Sequence, residues 1–241
     1  MPPAPNPADT PTAFSARFLR GMKLGLPIFL GYVPVGIAFG ILARSIGFTV
    51  VQAVTCSATA LAGAGQFIAL DAMRQGSSVV AVLAATTIVN LRYVLFGGTI
   101  SPYLKRYGLP TQAALAFSLT DETFAVNISD HREGYATAAS MAGVGAIAWT
   151  GWVLGTLLGA AGAGLIGDPT RWGVTFAMPA MFTALFVALA EDRRHVVVGL
   201  IAGVVIVCLP VLQNLGVPVG SSWFIIISSV TAATIGAVVF R

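Results

Sequence analysis

The stretch LGLPIFLGYVPVGIAFGILA, residues 24–43, runs for 20 residues without a charged side chain. At 1.5 Å per residue such a helix is about 30 Å long, the thickness of a bilayer's hydrocarbon core. The same texture recurs along the chain, in apolar runs bounded by charged or turn-forming residues at 24–43, 49–70, 77–98, 111–128, 137–158, 173–190, 195–213 and 220–240. Composition agrees: 56% of residues are hydrophobic and 9% charged, with mean hydropathy +0.87, against roughly 25% charged residues in soluble domains. A water-soluble fold of this size cannot cover so much apolar surface. The fold class is therefore an all-α polytopic membrane protein of about eight transmembrane helices. The 27 glycines and 13 prolines mark close packing and helix breaks, since both residues are more frequent in membrane helices than in soluble ones.

Outside the runs, residues 1–13 hold five prolines and little apolar bulk, so a disordered tail is expected over 1–16, followed by one transmembrane domain over 17–241. Arg17, Arg20 and Lys23 resemble the start of a signal peptide, but the apolar run behind them is longer than a secretory one and is expected to stay as the first span. With eight spans and a cytoplasmic N-terminus, the inner side carries Arg17, Arg20, Lys23, Arg74, Arg132, Arg193, Arg194 and Arg241, against Arg44, Lys105, Arg106 and Arg171 outside. Making the fourth segment alone re-entrant reverses this to five inside and seven outside, and making the second alone re-entrant gives six and six. Eight spans with both termini cytoplasmic, in an inner (plasma) membrane, satisfy the positive-inside rule best. The net charge of +4 sits at the ends of apolar runs with no basic stripe, which excludes nucleic acid as a partner and leaves the lipid bilayer. Cys56 and Cys208 lie alone in apolar stretches and read as small core residues, so no metal and no cofactor is expected.

Small residues four apart, in Gly36/Gly40, Gly151/Gly155/Gly159 and Gly199/Gly203, allow close helix approach. Leu26-Pro27-Ile28 of the first span has a counterpart in Met178-Pro179-Ala180 of the sixth, a pattern that broken helices of an inverted repeat would produce.

Charge inside a span is costly, by about 2.5–3.5 kcal/mol on insertion scales, so it faces a cavity or a partner. Arg92, Asp121 and Glu122 are the three clear cases. Arg92 lies 15 residues past Ser77, about 22 Å along the third span, and Asp121 lies ten residues past Thr111, about 15 Å into the fourth. The depths permit an Arg92–Asp121 bridge, either a structural lock or a site for a zwitterion's carboxylate and ammonium. Thr86, Asn90, Tyr93 and Gly97 share one face of the third span, a polar stripe for water or for a neighbouring helix. Thr120-Asp121-Glu122-Thr123 covers the whole circumference of a helix, so the segment is either interrupted there or enclosed by protein and water. In the second span, Gly63 and Gly65 beside Gln66 expose backbone to a ligand or pack tightly. In the first, Pro34 frees a carbonyl mid-span beside Tyr32, or only kinks the helix. No phosphate-binding loop or hydrolase signature is present, and His131 and His195 fall in loops, which disfavours an enzyme.

At these residues the chain resembles the AzlC-type permeases, the large subunit of branched-chain amino-acid exporters. The stretches are Leu26-Pro27 with Gly31 to Gly40, Ala62 to Phe67, Asn90 to Gly97, and Leu119 to Ala125. The chain departs from the family pattern at Asn90, where members carry Asp, and at Tyr93, where members carry His. If those positions carry protons in relatives, coupling here falls to Asp121 or Glu122. The resemblance implies export of Leu, Ile or Val, with a small hydrophobic AzlD-type membrane subunit as partner; with no nucleotide-binding motif in the chain, a secondary transporter driven by a proton gradient is expected. A passive channel or a membrane scaffold subunit for another small solute is the alternative.

Overall fold

A computed structural model of the chain describes residues 11–166, 192–214 and 224–240, with six single positions between 176 and 190. The helices are α1 (Pro11–Ser45), α2 (Val50–Ala60), α3 (Gly63–Arg74), α4 (Val79–Asn90), α5 (Arg92–Leu104), α6 (Leu109–Phe117), α7 (Asp121–Arg132), α8 (Ala138–Ile166), α9 (Arg193–Asn214) and α10 (Phe224–Val239). Among the described residues there is no strand, and the chain is an all-α polytopic membrane protein. It divides into two compact units, Met1–Met178 and Pro179–Arg241. Helix α1 already begins at Pro11, so the tail expected over 1–16 is helical in its last six residues, while 1–10 lie outside the described residues. The sixth expected span and its Met178-Pro179 dipeptide fall largely outside them as well.

Helices long and apolar enough to cross a membrane run over 14–45, 79–104, 138–165 and 193–212. Helices α1 and α8 pack backbone to backbone along a glycine seam. Gly21 faces Ser140, Gly36 faces Trp152 and Thr156, and Gly40 faces Thr156 and Ala160; reciprocally, Gly151 faces Phe29, Gly155 faces Val33 and Gly159 faces Ile37. A Cβ at any of these positions would collide with the partner helix, the close approach that small-xxx-small spacing permits. In the second unit Gly199 lies against the Phe186 ring, whereas Gly203 faces open space. Residue numbers rise together along the α1–α8 seam, so the two helices are parallel. An odd number of crossings must then separate them.

That crossing is α4–α5. It starts beside the C-terminal end of α1 and ends at Ile100 and Leu104, which cluster with Met141 near the start of α8. The expected second and fourth spans do not cross. Helix α2 descends from the α1 C-terminus, with Ser57 bonded to Thr156 and the Ala58 carbonyl accepting from Trp149. Helix α3 then climbs back: Gly63 sits on the Trp152 ring, Phe67 packs edge-on to Phe39, and Leu70, Asp71 and Arg74 share a cavity with Leu42, Ser45 and Ile46. Helices α6 and α7 do the same from the opposite side. Leu115 packs on Met141, Ser118 abuts Gly145, and α7 returns until Asp130 meets Arg20 and His131 meets Met141.

Each hairpin limb has 9–12 residues, about 14–18 Å of helix, half of a bilayer. The runs 49–70 and 111–128 are long enough to cross, and a helix break inside each turns it back. Basic residues support the correction. With both hairpins, the described residues of the first unit place Arg17, Arg20, Lys23, Lys105, Arg106 and Arg132 on the N-terminal side, against Arg44 and Arg74 on the other. Eight uninterrupted spans would give five against three. The pair α1 plus α2–α3 is thus followed by the oppositely oriented pair α4–α5 plus α6–α7, an inverted arrangement within the first unit.

Candidate functional site

The two hairpin tips and the α4–α5 junction lie near the middle of the first unit's spans. At that junction Leu91 keeps right-handed helical angles (φ −54°, ψ −25°), so the span is interrupted at one residue without unwinding, and Arg92 heads the lower half. At the second hairpin the chain leaves the helix after Phe117 and restarts at Asp121. Thr120, extended at φ −125° and ψ 179°, caps α7: its hydroxyl accepts from the Thr123 amide while Thr123 Oγ1 accepts from the Thr120 amide. This reciprocal box resolves the Thr120–Thr123 problem, because four consecutive polar residues suit a helix start far better than a helix middle. Asp121 and Glu122 occupy the first turn, where the helix dipole favours negative charge.

Arg92 Nη1 pairs with Asp121 Oδ2 at 2.8 Å, with side-chain exposures of 22% and 13%; the pairing allowed by sequence depth is made. The guanidinium also lies 5.2 Å from the Tyr93 ring centre. Glu122 takes a different partner: its Oε2 is bonded to the buried Tyr32 hydroxyl, which is also 2.7 Å from Thr120 Oγ1. One turn below the ion pair, Phe96 stacks on Phe124 with ring centres 4.5 Å apart.

The first hairpin's tip is knitted differently. Gln66 Oε1 accepts from Trp152 Nε1 at 2.9 Å, and Gln66 Nε2 donates to Ser57 Oγ at 3.3 Å. Ser57 in turn bonds Thr156 at 2.7 Å. Gly63 gives room to the Trp152 ring, and Gly65 gives room to the Asn90 amide. Asn90 Oδ1 and Arg92 Nε, on either side of Leu91, are each buried without a hydrogen-bond partner. Burial of unpaired polar groups costs free energy unless a ligand or water satisfies them.

The structure therefore pairs Arg92 with Asp121 and joins Glu122, Tyr32 and Thr120 by direct bonds; Gly63 and Gln66 meet Trp152, and Gly65 meets Asn90. Pro34 stays apart: two residues from Tyr32, it lies on the opposite, exposed face of a helix that continues through both prolines. Trp152, Ser57 and Thr156 were missed by sequence reading, because a tryptophan and two hydroxyls in apolar runs carry no pattern of their own. A second ion pair, Arg20 with Asp130, was missed because both charges were assigned to span ends. Arg20 donates to both carboxylate oxygens and lies over the Tyr135 ring. The described residues contain no cluster of His, Cys, Asp and Glu able to hold a metal.

Comparison with known proteins follows this geometry. The family model described as "AzlC protein" matches residues 27–166, which include both hairpins and the Arg92–Asp121 pair. The chain is 32% identical over 228 residues to "Inner membrane protein YgaZ" of Escherichia coli K12, covering 89% of this chain and 92% of the relative. It is 28% identical over 185 residues to "Branched-chain amino acid transport protein AzlC" of Bacillus subtilis 168, covering 75% and 71%. An uncharacterized membrane protein of Archaeoglobus fulgidus is 33% identical over 183 residues, covering 75% and 79%. No solved structure is significantly similar to the chain.

Proposed function

The chain belongs to the AzlC family, a family of membrane transport proteins, and we propose that it exports branched-chain amino acids by alternating access about the Arg92–Asp121 site. The observation that carries this reading is the half-buried Arg92–Asp121 ion pair at the tip of the second hairpin, with Asn90 Oδ1 and Arg92 Nε left unpartnered at the α4–α5 junction. A zwitterion offers a carboxylate to the guanidinium and an ammonium to the acids, so it replaces the pair's mutual contact without stranding a charge. The AzlC relative's name, a branched-chain amino acid transport protein, supplies the substrate class. The Tyr93, Phe96 and Phe124 rings next to the charges suit an aliphatic side chain.

A proton gradient drives export in this reading. The six basic residues on the N-terminal side of the first unit favour a cytoplasmic placement of that side, with both termini taken as cytoplasmic in an inner membrane. A small hydrophobic AzlD-type subunit is the partner, and the outward-facing Val79, Val80, Leu83, Val94 and Leu95 of α4–α5 offer lipid or that subunit an apolar surface.

Reconstituted vesicles test the reading. Saturable leucine counterflow is expected, abolished in Asp121→Asn and in Arg92→Ala while the protein still elutes as a folded species. Non-saturating flux would instead identify a passive channel. Flux that survives both substitutions would remove the site assignment.

A further inference from the structure

The two acids at the start of α7 have been treated so far as a pair, yet their surroundings divide them. Asp121 is committed to a cation: its carboxylate is held by Arg92 Nη1 at 2.8 Å. Protonating it would leave a guanidinium uncompensated inside the bilayer, a state that buried pairs avoid. Glu122 has no cation paired with it among the described residues. Its partner is the Tyr32 hydroxyl, which reaches Glu122 Oε2 on one side and Thr120 Oγ1 on the other. The charged and titratable groups around it are Tyr32 on α1, Asp121 on its own helix, and Arg92 with Tyr93 on α5. Gln66 and Trp152, which close the far side of Tyr32, do not titrate as acids.

A row of three oxygens, Thr120 Oγ1, Tyr32 Oη and Glu122 Oε2, has a property that an ion pair lacks. Each hydroxyl carries one proton and can point it in either direction. When Glu122 is ionised, Tyr32 donates to the carboxylate and Thr120 donates to Tyr32. When Glu122 is protonated, its own O–H donates to Tyr32, and the Tyr32 proton turns to Thr120, whose hydroxyl has Thr123 Oγ1 at 3.3 Å. Both states satisfy every oxygen, and no heavy atom has to move. The row also links two separate elements, because Thr120 and Glu122 sit on the second hairpin while Tyr32 sits on α1.

We propose that Glu122 is the proton carrier of this transporter, with Tyr32 as its positioning hydroxyl and Asp121 reserved for the Arg92 counter-charge. One proton is taken from water onto Glu122 Oε2 on one side of the membrane and returned to water on the other; the hydroxyl protons of Tyr32 and Thr120 reorient and are not consumed. The assignment deepens the proposed transport function, and its test is arranged so that the two can fail separately.

The first measurement needs no substrate. Infrared difference spectra of the purified, reconstituted protein across an acid titration should show a protonated-carboxyl carbonyl band that is absent in Glu122→Gln and present in Asp121→Asn. In Tyr32→Phe the band should persist at a shifted frequency and a shifted midpoint pH, whereas a merely structural tyrosine would leave both unchanged. A band that survives Glu122→Gln, or that vanishes in Asp121→Asn, overturns the assignment. The second measurement uses leucine. A gradient of one pH unit drives about tenfold accumulation per coupled proton; Glu122→Gln should lose this accumulation, and whatever counterflow it retains at equal pH should no longer change with pH. Gradient-driven accumulation in Glu122→Gln overturns the assignment. Absence of leucine counterflow in the unmodified protein would instead refute the substrate reading and leave the spectroscopic result to stand.

Discussion

The two hairpins enter from opposite sides and reach the same depth, yet they are built from different chemistry. The tip of α2–α3 is neutral and fully tied: Gln66 spends its oxygen on Trp152 and its amide on Ser57, Ser57 is bonded to Thr156, and Gly63 lies at ordinary contact distance from the Trp152 ring. The tip of α6–α7 is charged, and every one of its partners is exchangeable: a guanidinium that a substrate carboxylate can claim, and a hydroxyl row that reads in two directions. A neutral network with every donor used holds one geometry, whereas charged contacts that ligand or proton can replace hold two. The first hairpin is the fixed wall of the site and the second is the part that responds.

The sharpest attack on this division is to remove the charges of the second tip. Arg92→Ala leaves the half-buried Asp121 unpaired, at a cost of up to about 3 kcal/mol in stability. The double variant Arg92→Leu, Asp121→Leu removes both charges and should regain much of that stability, since replacing a buried pair by apolar residues is often neutral. Transport should be absent in both variants. Thermal unfolding in detergent beside leucine counterflow checks the pair of outcomes. A double variant that is stable and still transports would make the ion pair a lock and nothing more.

The same comparison predicts a gentler result at the glycines under each tip. A Cβ at Gly145 would run into the Ser118 side chain at the second hairpin, whereas a Cβ at Gly63 would meet Trp152 Cη2 at 3.4 Å. Gly145→Val is therefore expected to cost about 1–3 kcal/mol through overpacking, and Gly63→Ala to be close to neutral. At the first tip, Gln66→Leu removes a bonded amide and should cost about 0.6–2 kcal/mol, the range of hydrogen bonds between membrane helices. Leucine counterflow in Gln66→Leu should stay near the unmodified rate; its loss would show that the first tip also handles substrate.

How far the sequence foretold this division depends on what each residue type reveals. Charge in an apolar run is conspicuous, so Arg92, Asp121 and Glu122 were legible, and the helical rise placed two of them at compatible depths. An interruption at Thr120–Thr123 was legible as one of two options, since that stretch is too polar for one lipid-facing helix; the capping box that makes it was not. Hairpins were not. Leu61, Ala62 and Gly63 look no different in a turn than in a packed helix, and the positive-inside rule failed for a definite reason. One re-entrant segment reverses every later loop, but a second restores them, so testing each alone rejected an answer that both together satisfy. The α1–α8 seam illustrates the opposite case: Gly36, Gly40, Gly151, Gly155 and Gly159 announced close packing by spacing alone, but not that the two helices are parallel, which is what counts the crossings between them.

The smallest expected effect lies at the base of the second hairpin, where α7 leaves the membrane. His131 stacks on Tyr103 with ring centres 4.6 Å apart and meets Met141 Sδ at 3.2 Å. Burial pushes its pKa below the usual 6.5; the neighbouring Asp130 opposes the shift and Arg106 adds to it. The imidazole is thus harder to protonate folded than unfolded, so the unfolded chain binds more protons in the window below 6.5. The His131 contribution is complete above pH 6.5 and is lost as the pH falls through the depressed folded value. Replacing it by Gln removes that titration, and the stability of the variant should fall less than that of the unmodified protein between pH 7 and pH 5. The base of the first hairpin has no histidine, only the exposed Asp71–Arg74 pair, so substitution of Arg74 should leave the acid limb of the stability profile unchanged. An acid response that followed Arg74 and ignored His131 would place the responsive base under the wrong hairpin.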